Sequence, residues 1–160
     1  MFDFAASSNL PKARLYRELL SAADALTSQE SDSVANMANI AALLWQFLPD
    51  VNWTGFYRTV DGELVLGPFA GRPACIRIAI GSGVCGAAAK EGAVQIVPDV
   101  HEFAGHIACD GATRSELVVP VLQGGAVIAV IDLDSPSLAR FDGEDAAGIE
   151  ALAALLSDRI

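Results

Sequence analysis

Two short turns constrain the fold of this 160-residue chain more than any other feature. Asp61-Gly62 and Gly124-Gly125 each separate two segments that are rich in β-branched, aromatic and leucine residues. A two-residue Asp-Gly or Gly-Gly connection between such segments is typical of a tight β-hairpin, because glycine readily adopts the positive φ that the turn requires. The turns therefore predict two antiparallel hairpins. Their strands are residues 52–59, 63–69, 117–122 and 127–134.

Helices are predicted before, between and after these hairpins. In residues 11–27 apolar side chains recur every three or four positions, as on one face of an amphipathic helix. The other predicted helices run from Ser31 or Ser33 to Leu48, from 84 to 91, and from a cap at Asp142 to Leu156. Short strands are predicted over residues 76–80 and 94–97, and a long functional loop over residues 99–114. Because hairpins outnumber crossovers, this order predicts the α+β class, with a central antiparallel sheet of about six strands and the N- and C-terminal helices packed on one face.

Composition and charge exclude several classes of protein. Apolar residues make up 52% of the chain and charged residues 19%, and no composition shift divides it, so we expect one globular domain over residues 1–160. Residues 1–10 are expected to form a flexible or loosely packed N-terminus. The net charge of -10 disfavours nucleic acid and anionic membranes as partners. The first residues lack the features of a secretory signal, and together with an odd number of cysteines this predicts a cytoplasmic location.

Three cysteines carry the first indication of chemistry. Cys109 lies in the predicted functional loop, with His106 and two glycines nearby. A nucleophilic thiol needs a low pKa and access to solvent, and this loop could supply both. Asp110 opposes this, since a neighbouring carboxylate disfavours the thiolate. Cys75 and Cys85 lie upstream, and for each cysteine the alternative is a small buried hydrophobic residue.

Two other kinds of site are compatible with the same region. A zinc site would have to combine the cysteines with His101 and His106, but the spacing contains no CxxC pair and supports a metal only weakly. Residues 81–86 match the G-x-G-x-x-G pattern of dinucleotide-binding proteins and follow a predicted strand. The elements that follow are predicted hairpins instead of βαβ units, so we expect these glycines to permit tight turns and close backbone approach.

Carboxylates near the ends of the central strands form a second candidate site. Asp132 and Asp134 are two residues apart, so a strand directs both side chains to the same face. Glu116 opens the neighbouring strand, and Trp53 and Tyr57 are spaced to share one face of theirs. A pocket with aromatic walls and carboxylates suits a cationic ligand with an apolar tail, such as an amino acid. The alternatives are that the carboxylates end their strands in solvent and that the aromatic rings belong to the core.

Six segments of the chain together resemble the free methionine-(R)-sulfoxide reductases, which are enzymes of the GAF fold. They are residues 53–57, 71–75, 83–86, 105–110, 115–120 and 132–135. The resemblance spans about residues 12–155, and the three cysteines with the sequence Gly-His-Ile-Ala-Cys-Asp are its most specific part. It implies reduction of free L-methionine (R)-sulfoxide to methionine through a cysteine sulfenic acid and an intramolecular disulfide. A GAF sensory or ligand-binding module is the alternative.

The resemblance also implies a source of electrons and a set of roles for the cysteines. Thioredoxin, reduced by NADPH through thioredoxin reductase, supplies the electrons, and no cofactor or metal is bound. Cys109 resembles the nucleophile that becomes a sulfenic acid, Cys75 the resolving thiol and Cys85 an auxiliary recycling thiol. The order of the last two stays open. The chain departs from the family pattern at Ala104 and at residues 111–113, both in the loop that carries the nucleophile.

The remaining roles follow from the chemistry of a sulfoxide. Its oxygen is a poor leaving group until it is protonated, so an acid must reach it as the thiolate attacks sulfur, and we predict that Glu116 is this acid. Asp132 and Asp134 are predicted to hold the substrate ammonium, and Trp53 and Tyr57 to enclose the S-methyl group. The apolar first and second helices offer a surface for a homodimer.

Overall fold

The computed structural model of the chain describes residues 10–107 and 110–160. Within these residues the chain forms four α-helices and six strands. The helices are α1 (Lys12–Thr27), α2 (Ser33–Phe47), α3 (Gly83–Glu91) and α4 (Gly143–Leu156). The strands are β1 (Trp53–Val60), β2 (Glu63–Gly71), β3 (Arg77–Ala79), β4 (Gln95–Val97), β5 (Ser115–Gln123) and β6 (Ala126–Ser135). Residues 1–9 of the predicted loose N-terminus lie outside the described residues.

The strands form one antiparallel sheet in the order β3-β2-β1-β6-β5-β4, which confirms the predicted α+β class. Both predicted hairpins are present. Asp61 and Gly62 have φ values of 50° and 82°, and Gly124 and Gly125 have values of 59° and 85°. Positive φ at both central residues is the signature of a type I′ turn, whose twist matches that of the flanking strands. Pairing of β1 with β6 joins the two hairpins in the centre of the sheet.

The two faces of the sheet bury different sets of residues. On one face α2 and α4 pack on the strands and α1 packs on both helices, which confirms the predicted position of the N- and C-terminal helices. On the opposite face α3 packs against β5 and β6. The period of two in β1 directs Phe56 into the helical face and Trp53 and Tyr57 to the opposite face. The predicted aromatic pair therefore lies beneath α3.

Local capping explains where the helices begin. α2 begins at Ser33, one of the two predicted residues, and the preceding Asp32 accepts a hydrogen bond from Ala35 N at 2.8 Å. Asp142 caps α4 as predicted, within a capping box that Asp145 completes. None of the described helices combines the length and apolarity that a membrane span requires.

The predicted functional loop connects β4 and β5. It contains one turn of 3₁₀-helix, Val100–Glu102, and Asp99 caps this turn by accepting a hydrogen bond from His101 N at 3.0 Å. Residues 108 and 109 lie outside the described residues.

A buried carboxylate joins the first and last helices. Asp145 accepts hydrogen bonds from Tyr16 Oη at 2.8 Å, from Lys12 Nζ at 2.6 Å and from Arg140 Nη1 at 3.3 Å. Lys12 and Tyr16 belong to α1, so Asp145 fixes α1 against the start of α4. A hydrogen bond to a buried charge contributes more to stability than one between neutral groups.

We expect Tyr16→Phe to lower the free energy of unfolding by roughly 2 kcal/mol, because it removes one hydrogen bond to a buried carboxylate. Urea unfolding followed by circular dichroism measures this change. The matched control is Glu18→Gln in the exposed Arg14–Glu18 pair, for which we expect a change below about 0.5 kcal/mol. Equal effects of the two variants would contradict the anchoring role of Asp145.

Candidate active site

A cleft opens on the α3 face of the sheet. It encloses about 540 Å³ of free space, its open mouth included. Its walls come from β1, from the ends of β5 and β6, from the first turn of α3 and from the loops after β2 and before β5. Most of the predicted site residues line it: Trp53, Tyr57, Cys85, His106, Glu116, Asp132 and Asp134. The aromatic and carboxylate side chains, which are far apart along the chain, therefore face one cavity.

Strand register brings the carboxylates together. Asp132 and Asp134 share the α3 face of β6, as predicted, and Glu116 in β5 lies directly opposite Asp134. In the same way Trp53 of β1 lies opposite Asp134, on the other side of β6. Like charges opposite one another destabilise a sheet, so this arrangement is not explained by folding alone.

Burial controls the charges of these three carboxyls, Glu116, Asp132 and Asp134. Glu116 and Asp132 are 5% and 6% exposed, and burial is the largest cause that raises their pKa values, to about 6 for Asp132 and well above the ordinary value for Glu116. Burial and the neighbouring charge of Asp132 also raise the pKa of Asp134. Within the described structure, Asp132 Oδ1 is buried without a hydrogen-bond partner. A cation or a proton in the cleft would offset this cost.

Cys85 occupies the first turn of α3, beside these carboxylates. It is a free, buried thiol whose Sγ lies 4.0 Å from Glu116 Oε1. Burial raises the pKa of Cys85, and the charges of Asp132 and Glu116 raise it further. The start of a helix favours a thiolate, but burial among carboxylates outweighs that effect here. Cys85 is therefore a protonated thiol at neutral pH and a weak nucleophile.

The aromatic wall is fixed by stacking and by hydrogen bonds. Trp53 stacks against Tyr57 at 5.9 Å between ring centroids and against Phe69 at 5.3 Å. Tyr57 Oη donates to Cys75 O at 3.0 Å, so the wall also supports the loop that carries Cys75. Phe69 was not predicted as part of this wall. Gly55 was the available signal, because a Cβ there would lie 2.4 Å from Phe69 Cβ and would prevent this packing.

Cys109 lies outside the described residues, but the residue that follows it is well defined by its contacts. Asp110 accepts hydrogen bonds from Asn52 Nδ2 at 3.2 Å and from Ala112 N at 3.0 Å, and Arg72 Nη1 lies 3.6 Å from its carboxylate. The hydrogen bond from Ala112 is the largest cause that lowers the pKa of Asp110. Asn52 lies outside the segments of the resemblance, and Arg72 lies in one of them but was given no role. These contacts stabilise the ionised form of Asp110, so its charge stays a cost for a thiolate at Cys109 that other groups must offset.

His106 lines the cleft. Its Nε2 lies 3.8 Å from Glu116 Oε2, and burial is the largest cause that lowers the pKa of His106. The imidazole is therefore neutral at neutral pH, because desolvation disfavours the imidazolium. The contribution of His106 to a low thiol pKa at Cys109 stays a prediction.

The alternative sites take different forms in the structure. The His101 ring pairs with Asp99 at 2.8 Å on the surface, away from the predicted zinc set. In the described part of the chain, the ligand atoms that converge belong instead to Cys85, Glu116 and Asp132.

The G-x-G-x-x-G segment packs closely instead of forming part of a βαβ unit. A Cβ at Gly86 would lie 2.6 Å from Ala79 O, so this glycine permits β3 and α3 to approach each other. No parallel pair occurs among the described strands, which removes the fold context that dinucleotide binding requires.

Comparisons with known proteins agree with this geometry. The profile of the GAF domain family matches residues 32–160. The free methionine-R-sulfoxide reductase of Escherichia coli is 46% identical over 145 residues, which cover 91% of this chain and 88% of the relative. That of Saccharomyces cerevisiae is 43% identical over 159 residues, covering 94% and 88%. The chain belongs to the free methionine-R-sulfoxide reductase family.

The structural comparison supports the same assignment. The X-ray structure of the free methionine-R-sulfoxide reductase from Neisseria meningitidis, in complex with its substrate, has a TM-score of 0.95. It is 43% identical and the match covers 99% of this chain and 95% of that chain. Both the predicted GAF fold and the predicted membership of the free methionine-R-sulfoxide reductase family are thereby confirmed.

Proposed function

We propose that this protein reduces free L-methionine (R)-sulfoxide to methionine in the cleft beneath α3. The observation that carries the proposal is the buried, partnerless Asp132 Oδ1 between two further carboxylates and an aromatic wall. A substrate ammonium would pair with this oxygen, and the S-methyl end would contact Trp53 and Tyr57. Backbone N–H groups in the first turn of α3, which lines the cleft, are suited to the substrate carboxylate.

In the proposed reaction the Cys109 thiolate attacks the sulfoxide sulfur. Glu116 gives its proton to the sulfoxide oxygen, which passes to Cys109 as the S–O bond of the substrate breaks. The products are methionine and a Cys109 sulfenic acid, so two electrons have moved from the cysteine to the substrate. The raised pKa of Glu116 supports its role, because this carboxyl keeps a proton at a higher pH than an exposed one.

A second thiol then condenses with the sulfenic acid, releasing water and forming a disulfide. We propose Cys75 for this step, because Cys85 is buried among carboxylates that hold its pKa high. Cys85 would then have only an auxiliary role in returning the enzyme to its reduced form. The dithiol of thioredoxin would reduce the disulfide, with NADPH as the electron source through thioredoxin reductase and no bound cofactor. This chemistry fits a cytoplasmic protein.

The free amino group is the part of the substrate that tests this proposal. We expect N-acetyl-methionine (R)-sulfoxide to be reduced with a kcat/KM about 10⁴-fold lower than free methionine (R)-sulfoxide, because the carboxylates would be left without their cation. NADPH consumption in the presence of thioredoxin and thioredoxin reductase measures both rates. The (S) epimer is the control for stereochemistry. Equal rates with the free and acetylated substrates would overturn the assigned role of the carboxylates.

We further propose that two copies associate through α2. Val34 and Trp45 on this helix are 52% and 44% exposed, so α2 presents apolar side chains to solvent. Sedimentation equilibrium of the wild type and of Trp45→Glu tests this. A dimer that the substitution leaves intact would contradict the choice of surface.

A further inference from the structure

The geometry points to a second ligand for the cleft: we propose that Cys85, Glu116 and Asp132 bind a Zn²⁺ ion when no substrate is present. This goes beyond the proposed reaction, in which no metal takes part. Cys85 Sγ and one oxygen of each carboxylate lie within 4.8 Å of one another, and Cys85 Sγ lies 4.0 Å from Glu116 Oε1. All three side chains are buried.

The distance between Cys85 Sγ and Glu116 Oε1 is close to that in a formed zinc site. Bonds of about 2.3 Å to sulfur and 2.0 Å to oxygen place the ligand atoms of a tetrahedral site about 3.5 Å apart. The sulfur and the glutamate oxygen therefore need to approach by only about half an ångström. Cys85, Glu116 and Asp132 belong to α3, β5 and β6, three elements that pack together.

An independent observation is that one carboxylate oxygen of the site has no hydrogen-bond partner. Asp132 Oδ1 is buried without a hydrogen-bond partner within the described structure. Arg72 is the one lysine or arginine among the described residues that line the cleft, and its guanidinium is exposed and pairs with Asp110 instead. A buried carboxylate with no cation is costly, and a divalent ion would satisfy Asp132 and Glu116 together.

The type of donor selects the ion. A thiolate with two carboxylates is a mixed soft and hard set that suits Zn²⁺ better than Mg²⁺ or Ca²⁺, which prefer oxygen alone. With three protein ligands, a water molecule would complete the tetrahedral site. Binding displaces the thiol proton of Cys85 and any proton on the carboxyls into the buffer, and no electrons move. The ion would occupy the place of the substrate ammonium, so zinc and substrate should compete.

Co²⁺ is the probe, because thiolate ligation of Co²⁺ produces a charge-transfer band that carboxylates alone do not produce. The experiment uses the reduced, full-length Cys75→Ser/Cys109→Ser variant, in which Cys85 is the remaining cysteine. We expect one Co²⁺ per chain, the band in the near ultraviolet, and its loss when Zn²⁺ is added. Adding Asp132→Asn, which keeps the thiol, should weaken Co²⁺ binding at least tenfold, on the order of a lost ligand contact.

The control is the further substitution Cys85→Ser, with circular dichroism to verify the fold. Loss of the band with this folded variant supports the site, whereas a band that persists, or no Co²⁺ binding at all by the Cys85-only protein, overturns it. Because the spectrum needs no turnover, the result is independent of the reductase assay. A protein that binds Co²⁺ but never reduces methionine sulfoxide would leave the metal site standing and remove the proposed function.

Discussion

Replacement of Cys109 by serine is expected to lower kcat for free methionine (R)-sulfoxide by at least about 10⁴-fold, as loss of a catalytic nucleophile does in other enzymes. A serine hydroxyl has a far higher pKa than a thiol, and its oxygen cannot accept the sulfoxide oxygen as the cysteine sulfur does when it becomes a sulfenic acid. The contacts of Asp110 should survive in this variant, since they involve Asn52, Arg72 and a backbone N–H. NADPH-coupled turnover measures the loss.

Serine substitutions of the other two cysteines are the matched controls. Cys75→Ser should still produce about one methionine per chain in a single turnover and then stop, because the sulfenic acid forms but is not resolved. Cys85→Ser should continue to turn over, because burial and two carboxylates make the Cys85 thiol a poor resolving group. After substrate exposure without reductant, mass spectrometry should locate a loss of two hydrogens to Cys109 and Cys75. Unchanged turnover in Cys109→Ser would rule out the proposed nucleophile.

The fold was predictable because its determinants are local. The turn at Asp61-Gly62 fixes the register of β1 against β2, and the cap at Asp142 fixes the start of α4. The period of two along β6 correctly placed Asp132 and Asp134 on one face. None of these features depends on residues that are distant in the chain, so the sequence pattern was sufficient.

The parts of the site that were missed are not set by a local pattern. Phe69 lies opposite Gly55, beyond the register shift between Gly55 and Tyr57, so the hairpin turn alone does not predict its place in the aromatic wall. Asn52 reaches Asp110 across 58 residues of sequence. The charges depend on the fold in the same way. His106 is a neutral ring because the fold buries it, and Cys85 holds its proton because β5 and β6 bring Glu116 and Asp132 beside it. Residue type gives an ordinary pKa, but burial and neighbours determine the actual one.

The acid role of Glu116 makes a prediction about rate and pH. Glu116→Gln should lower kcat about 10²- to 10⁴-fold with a smaller change in KM, because the amide can still contact the substrate but has no acidic proton to give. Since the proposed mechanism requires a protonated Glu116, wild-type kcat should fall as pH rises through its raised pKa. Glu116 and Asp132 are neighbours, so the observed pKa will belong to the pair and not to one residue. The variant should lack this alkaline fall. Asp134→Asn is the control, because loss of an ammonium contact should raise KM more than it lowers kcat.

The same substitution should stabilise the protein without substrate. A carboxyl whose pKa is raised in the folded state binds its proton more tightly there than in the unfolded chain, so its contribution favours folding at low pH and is lost as pH rises above the unfolded value. Glutamine does not ionise, so the variant does not lose stability in this way as pH rises. The Tm of Glu116→Gln should therefore exceed that of the wild type at pH 8 but approach it at pH 4. If the variant is less stable at both pH values, Glu116 makes contacts in the folded protein that outweigh the cost of burying its charge. A gain in Tm together with the loss in kcat would show that the carboxylate group is retained for the substrate at a cost in stability.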